Sequence, residues 1–190
     1  MEKSEQSGYP FQADLGIVAD RLARHFRESA AGRGRVINQV PLSRIVRELD
    51  LETPVREGGL SGSALGEFLD RYLDLTTRLH HPAYMAHQVA VPHPAGSLAS
   101  LVDGFTNSAM AIYEMGPAAA AIEFFVINWM LGKIGWKPSP FPDIPSGGRE
   151  SHGGGVLTHG GSLANLTALL AARSRLVPDV FTNGNPPDLG

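Results

Sequence analysis

One short stretch near the end of the sequence constrains the fold more than any other. Residues 155–158 are apolar and predict a strand, residues 159–162 predict a tight glycine turn, and residues 163–175 predict a helix. The inward face of that helix is predicted to carry Leu166, Leu169 and Leu170. A parallel strand needs a neighbouring strand, and the chain offers no second clear one. We therefore expect an α/β fold whose sheet is incomplete in this chain.

Three amphipathic helices are predicted before this unit. Apolar residues three or four apart predict helices over 11–29 and 42–49, and a third that begins with Ser63 as its N-cap. The glycine-rich and polar stretch 52–62 predicts a loop between them. Four histidines and three prolines predict extended or looped chain over 80–94.

Two further helices are predicted between this region and the glycine turn. Ser97 is expected to open the first, and Pro117 falls in the first turn of the second, which ends near Gly135. A broad apolar face predicts that the second helix is largely buried; it comprises Ile122, Phe125, Val126, Trp129 and Met130. The stretch 138–155 holds four prolines and five glycines and predicts a surface loop.

The glycine turn has the chemistry of an anion site. Gly160 and Gly161 remove side chains where backbone amides approach a ligand, and Ser162 can cap the helix and donate its hydroxyl. Amides at a helix start lack acceptors and lie at the positive end of the helix dipole. The pattern is therefore suited to a phosphate, although many turns use glycine and serine only to turn and cap.

The same residues allow a rival interpretation as a serine hydrolase. Residues 160–164 form a relaxed nucleophile elbow around Ser162, and residues 159–161 are similar to an oxyanion loop. One loop would then serve both purposes, which that fold places on separate strands. Moreover, no histidine follows His159 to complete a triad, which makes this the weaker alternative.

Composition excludes several other classes of function. The formal net charge of −3, with no basic block, argues against nucleic acid or an anionic membrane as partner. The seven histidines are dispersed, and adjacent His80 and His81 make a poor metal pair, so we expect no metal site. The absence of cysteine, a signal peptide and a membrane-length apolar run predicts a soluble, cytoplasmic protein.

Three blocks of sequence resemble one enzyme family. They are residues 81–88 (HPAYMAHQ), residues 111–117 (AIYEMGP) with Glu123 six residues on, and residues 155–166 (GVLTHGGSLANL) followed by 168–173 (ALLAAR). In this order they resemble the group II pyridoxal-phosphate-dependent amino-acid decarboxylases. That family includes glutamate, aromatic amino-acid, histidine, sulfinoalanine and diaminobutyrate decarboxylases.

The resemblance implies roles for five residues. Gly160, Gly161 and Ser162 would hold the phosphate of pyridoxal 5'-phosphate through amides and a hydroxyl. His87 and Gln88 match the part of the family that lines the substrate pocket, where Gln88 would meet a substrate carboxylate. The alternative for Gln88 is that it only satisfies backbone groups in a proline-rich loop.

The departures from the family concern catalysis. Family members are more than twice as long, and their later parts supply a ring-stacking histidine, an aspartate under the pyridine nitrogen and a lysine in a Ser-x-His-Lys block. The lysines of this chain, Lys3, Lys133 and Lys137, have no such setting. The resemblance thus implies no catalytic residue in this chain, which we expect to be inactive when isolated.

The predicted organisation follows from the resemblance. Residues 1–80 would form an N-terminal helical arm that contributes to a homodimer, and residues 81–190 the first part of a fold type I cofactor-binding large domain. The chain would then be the N-terminal part of an amino-acid decarboxylase, with its substrate undetermined. The alternative is a non-catalytic fragment of the same fold that pairs with a complete subunit or with a complementing C-terminal portion.

Overall fold

The computed structural model describes residues 8–85, 87–142, 151–177 and 179–184. Within these ranges the chain forms eight α-helices and one 3₁₀ turn over Tyr113–Met115. The helices are α1 (Phe11–Ala30), α2 (Leu42–Leu49), α3 (Glu52–Glu57), α4 (Gly62–Leu75), α5 (Pro94–Thr106), α6 (Pro117–Lys133), α7 (Gly161–Leu176) and α8 (Val180–Asn183).

Contacts between Cα atoms divide the chain into two units, Met1–Ser100 and Leu101–Gly190, and the division falls within α5. The predicted boundary at residue 80, between a dimerisation arm and a cofactor domain, stays a prediction.

In the first unit, α1 packs against α4, and α2 also contacts α4. Gly66 leaves room for the Arg21 side chain where the two long helices pack, because a Cβ there would lie 3.1 Å from Arg21 Nη2. Asp70 of α4 forms ion pairs with Arg21 and Arg24 of α1. The predicted helices over 11–29 and 42–49 are confirmed as α1 and α2.

Two predictions around residues 52–63 are wrong. Residues 52–57 form the short helix α3, because Pro54 lies in its first turn, where no N–H is needed, and Arg56 pairs with Glu52 one turn away. The N-cap of α4 is Ser61, not Ser63. The carboxylate of Asp14 on α1 instead accepts a hydrogen bond from the Gly62 amide at 2.9 Å, so the first turn of α4 is capped from another helix.

Helix α5 begins three residues before the predicted start at Ser97. Pro94 is its first residue, and the preceding His93 accepts a hydrogen bond from the Ala95 amide through Nδ1 at 3.2 Å. A proline is favourable there because its φ angle suits a helix and its missing N–H would have no partner. The predicted non-helical stretch before α5 is confirmed for the described residues up to His93.

The second unit leaves much of its apolar surface uncovered. Helix α6 begins at Pro117 as predicted, but the prediction that it is largely buried is wrong for this chain: Ile122 is 65% exposed and Phe125 68% exposed. The predicted inward leucines of α7 are exposed as well. An apolar side chain is buried only when another part of the protein packs on it, and in the described part of this unit residues 153–157 pack along one side of α6.

The predicted strand over residues 155–158 is also wrong. The described residues contain no β-strand, and residues 151–158 are neither helical nor paired as a strand. A strand is defined by its hydrogen-bonded neighbour, and no described residue pairs with this segment as a strand. The fold class α/β and its incomplete sheet are therefore not seen directly, and the described chain is helical.

None of the helices in the described ranges combines the length and the apolar character that crossing a bilayer requires.

Candidate functional site

The start of α7 is a sharp glycine turn. Gly160 is the N-cap residue with φ 97°, a value that side chains other than glycine rarely adopt. Its amide donates to the Thr158 carbonyl at 2.9 Å, and its carbonyl accepts the first helical bond, from the Ala164 amide at 3.2 Å. The predicted turn is thus confirmed at residues 159 and 160, whereas Gly161 and Ser162, which were predicted to belong to it, are the first two residues of α7.

The first amides of α7 are available to a ligand. Gly161, Ser162 and Leu163 occupy the first turn, where helix geometry provides no acceptor, and all three residues are exposed. Apart from the adjacent residues and the backbone of the helix, no described heavy atom lies within 4 Å of where a Cβ would stand on Gly160 or Gly161. Open space above free amides at the positive end of a helix of 16 residues suits an anionic group such as a phosphate.

Ser162 does not cap the helix, contrary to the prediction. It is the second residue of α7, and the helix has no side-chain cap hydrogen bond. Because Gly160 makes the turn, Ser162 already has helical backbone, and a residue inside the helix cannot occupy the N-cap position. Its hydroxyl has no protein partner among the described residues, so it remains free to contact a ligand beside the amides.

The same observation weakens the serine hydrolase alternative. No hydrogen bond joins the Ser162 hydroxyl to a histidine in the described part of the chain, whereas a nucleophilic serine requires a base within hydrogen-bonding reach. The described residues also contain no group of three or more histidine, aspartate and glutamate side chains arranged to hold a metal ion.

The glycine turn is fixed by the chain segment that precedes it. Residues 153–157 run along one face of α6, where a Cβ on Gly153 would lie 2.7 Å from the Leu131 side chain and a Cβ on Gly155 3.1 Å from that of Ile127. The Leu157 amide donates to Glu123 Oε1 at 2.7 Å. Sequence reasoning assigned no role to Glu123 or to these glycines, because the contacts join residues far apart in the chain.

The far end of this segment is held by a second set of polar contacts. The Gly153 amide donates to the Lys137 carbonyl at 2.8 Å, and the Ser139 hydroxyl donates to the Gly153 carbonyl. The Asn128 side chain of α6 exchanges two hydrogen bonds with the Ser139 backbone, at 2.9 and 3.0 Å. The segment is therefore tied to α6 at both ends.

The other two predicted site residues belong to the first unit. His87 has φ 55°, in the left-handed region, and both His87 and Gln88 are exposed. The Gln88 side chain makes no hydrogen bond within the described residues, so no described contact supports a purely structural role for it. The glycine turn, in contrast, belongs to the second unit.

The remaining histidines of this region have local structural contacts. His80 packs edge-on against Phe26, with ring centroids 4.8 Å apart, and its Nε2 lies 2.9 Å from the Pro92 carbonyl. His81 accepts a hydrogen bond from the Ala83 amide at 3.1 Å. These contacts stabilise the turns that surround His87.

A charged cleft of about 430 Å³ lies in the first unit between α1 and α4, but it is electrically balanced. Its arginines are Arg21, Arg24 and Arg78, and its carboxylates are Glu28, Asp70 and Asp74. His25 also lines it, and burial followed by the positive charge of Arg78 lowers the pKa of that imidazole. Three cations facing three carboxylates leave no excess charge to attract an ionic ligand.

Comparison with known proteins identifies a family. The model of the pyridoxal-dependent decarboxylase conserved domain matches residues 73–188. The chain is similar to L-2,4-diaminobutyrate decarboxylase of Acinetobacter baumannii, at 27% identity over 70% of this chain and 24% of that protein. It is similar to aromatic-L-amino-acid decarboxylase of Bacillus atrophaeus, at 30% identity over 65% of this chain and 23% of that protein.

The fold is similar to that of a solved structure. The crystal structure of mouse CSAD superposes with a TM-score of 0.70 and 23% identity, covering 92% of this chain and 33% of that one. The chain spans about a quarter of the length of the curated relatives it matches. The matched segment contains α6, α7 and the glycine turn between them, and the chain therefore belongs to the pyridoxal-dependent decarboxylase family.

Proposed function

We propose that this chain is the N-terminal part of an amino-acid decarboxylase that uses pyridoxal 5'-phosphate to remove the α-carboxylate of an L-amino acid as carbon dioxide. The main support from the structure is the start of α7. The amides of Gly161 and Ser162 have no acceptor within the helix, and they follow Gly160, whose positive φ angle only glycine readily adopts. These amides lie within the segment that matches the family.

The residues present fit the phosphate end of the cofactor. The amides of Gly161 and Ser162 and the Ser162 hydroxyl would bind phosphate oxygens, and the α7 dipole favours the negative charge. When bound, the cofactor supplies an electron sink for the electrons left by departing carbon dioxide. The turn on this chain therefore orients the cofactor from one end, while the groups that act on its ring would come from outside these residues.

The lysines of the described chain offer no covalent anchor near this turn. Lys133 lies over the Trp129 ring, with its Nζ 5.2 Å from the ring centroid. It is the last residue of α6, ten residues after Glu123, which contacts the segment leading to the turn. Lys137 makes its own contacts beyond that helix end. We therefore expect the 190-residue chain to hold the cofactor weakly and without a covalent bond.

The substrate side of the proposal depends on His87 and Gln88. Both are exposed, and the free Gln88 amide could donate to a substrate carboxylate. The relatives named above act on diaminobutyrate and aromatic amino acids, and another similar protein is an acidic amino acid decarboxylase of Mus musculus. This range supports an L-amino acid as the substrate class without choosing its side chain.

The proposal extends to assembly and location. The first unit exposes apolar side chains on each of its helices α1, α2 and α3, among them Leu22, Leu42 and Val55, and these suit a homodimer contact of the helical arm. The absence of cysteine favours a cytoplasmic location. The second candidate function, a non-catalytic fragment that pairs with a complete subunit, uses the same surfaces.

The test compares the 190-residue chain with a chain extended by any coding sequence that follows in frame. We expect the extended chain to release carbon dioxide from at least one L-amino acid of a panel, and Gln88→Ala to weaken use of that substrate. The 190-residue chain should release none and should show no lysine adduct after borohydride treatment with the cofactor. An adduct at Lys133 or Lys137, or carbon dioxide release by the short chain, would contradict the proposal.

A further inference from the structure

We propose that Glu123 is a positioning residue for the glycine turn, which it aligns by holding the backbone of the segment that leads into α7. The inference rests on the proposed function, in which this turn holds the cofactor phosphate. Glu123 is a half-buried residue of α6, and its Oε1 accepts the Leu157 amide at 2.7 Å, three residues before Gly160.

The register between the segment and α6 brings Glu123 to this point. Three contacts define this register: Gly153 lies against Leu131, Gly155 against Ile127, and Leu157 against Glu123. From one contact to the next, the segment advances by two residues and the helix by four. Four helical residues rise about 6 Å and two extended residues about 6.6 Å, which lets the match continue over three contacts. Glu123 is thus the last contact of the series before the turn.

No other hydrogen bond in the described chain ties residues 156–160 to α6. The contacts of Gly153 with Lys137 and Ser139 lie four residues upstream of Leu157, and the bonds between Thr158 and Gly160 are internal to the turn. Without the Glu123 bond, the turn could move relative to α6 together with the first amides of α7. Amides that must converge on one phosphate lose affinity when they are free to move, because binding must then order them.

Substitutions of Glu123 can distinguish the effect of its hydrogen bond from the effect of its charge. Its carboxylate is an acceptor for a backbone N–H, and its negative charge does nothing favourable for a nearby phosphate. A glutamine keeps an acceptor oxygen at the same reach and removes the charge. An alanine removes both, and an aspartate keeps the charge but shortens the side chain by one methylene. A positioning role therefore predicts that glutamine restores function while aspartate fails.

The experiment titrates the 190-residue chain with pyridoxal 5'-phosphate and, separately, with pyridoxal, which lacks the phosphate. Amide chemical shifts of Gly161, Ser162 and Leu163 report binding, and hydrogen exchange of the Leu157 amide reports its contact with Glu123. We expect Glu123→Ala and Glu123→Asp to weaken the phosphate-dependent affinity about tenfold and to speed exchange at Leu157, with Glu123→Gln within about twofold of the parent.

Glu114→Ala is the matched control, because Glu114 is an exposed carboxylate of the same unit with no hydrogen bond or ion pair among the described residues. It should leave both readouts unchanged. If the parent chain shows no phosphate-dependent shift at the three amides, the proposed cofactor site is wrong and the role of Glu123 falls with it. If the parent binds and the alanine variant binds equally well, only the role of Glu123 is overturned. Should the alanine variant unfold, equal affinities of the aspartate and glutamine variants would overturn that role.

Discussion

The two units of this chain bury different kinds of residue. In the first, polar and charged side chains are enclosed: Ser29 is fully buried, Asp14 is 3% exposed, and Arg78 is 8% exposed. In the second, α6 has the composition of a helix buried on all sides, yet Leu131 is its one buried residue. A buried polar group needs a hydrogen-bond partner close by, whereas an apolar helix face can pack against any apolar surface.

The two units therefore differ in which contacts the described chain completes by itself. Specific hydrogen bonds and ion pairs link the elements of the first unit, whereas α6 and α7 of the second unit leave many of their large apolar side chains exposed. The glycine turn belongs to the second unit, where one line of contacts along α6 provides its support.

The largest expected effect lies within α6 itself. Leu131→Ala should destabilise the second unit by about 2–4 kcal/mol because its side chain is 6% exposed and packs against Gly153. Ile122→Ala, at 65% exposure on the same helix, should change stability by less than about 0.5 kcal/mol. Urea unfolding followed by tryptophan fluorescence measures both. Equal losses would show that the two sides of α6 are equally covered and would contradict this prediction.

A smaller effect is expected at the buried polar contact of the first unit. Ser29 donates to the His25 carbonyl at 2.7 Å and accepts from Arg78 Nη1 at 3.0 Å. Ser29→Ala should cost about 1–2 kcal/mol, because it removes a partner of a buried guanidinium.

The control for this change is Ser100→Ala. Ser100 makes the same kind of bond, to the Gly96 carbonyl at 3.1 Å, but is exposed, so the change should cost less than about 0.5 kcal/mol. Chemical denaturation of both variants gives the difference. A loss at Ser100 that matched the loss at Ser29 would mean that burial does not set the value of this contact.

The smallest effect concerns pH. The hydrogen bond from the Gly62 amide holds the pKa of Asp14 below its ordinary value, against the opposing effect of burial. Because the pKa is lower in the folded state, the ionised carboxylate stabilises the fold fully above about pH 4, and that stabilisation is lost as the pH falls through the folded pKa.

Asp14→Asn keeps an acceptor oxygen and removes the charge. We expect a modestly lower melting temperature at pH 7 and a shallower fall in melting temperature between pH 5 and pH 3. Asp20→Asn, at an exposed position of the same helix with no partner among the described residues, should match the parent across this range. Melting curves at several pH values make the comparison, and parallel curves for the parent and Asp14→Asn would contradict it.

Local pattern was sufficient for the positions of most helices. The spacing of Leu15, Val18, Leu22 and Phe26 marked α1 to within one residue, since an amphipathic helix requires that period wherever it packs. The start of α6 followed from Pro117, and the turn before α7 followed from Gly160. The burial of α6 could not be predicted from the sequence, because an apolar helix face is buried only where another apolar surface packs against it.

The helix periods and the glycine turn could be predicted because each depends on residues close together in the chain, and the family could be predicted because three sequence blocks occur in its order over residues 81–173. Three contacts could not be predicted in this way: Asp14 caps α4, Ser29 bonds to Arg78, and Glu123 accepts the Leu157 amide, across separations of 48, 49 and 34 residues. Such contacts depend on how helices pack. Hydrophobic spacing specifies which face of a helix is buried, but the polar atoms that meet there are set by the register of one packed element on another.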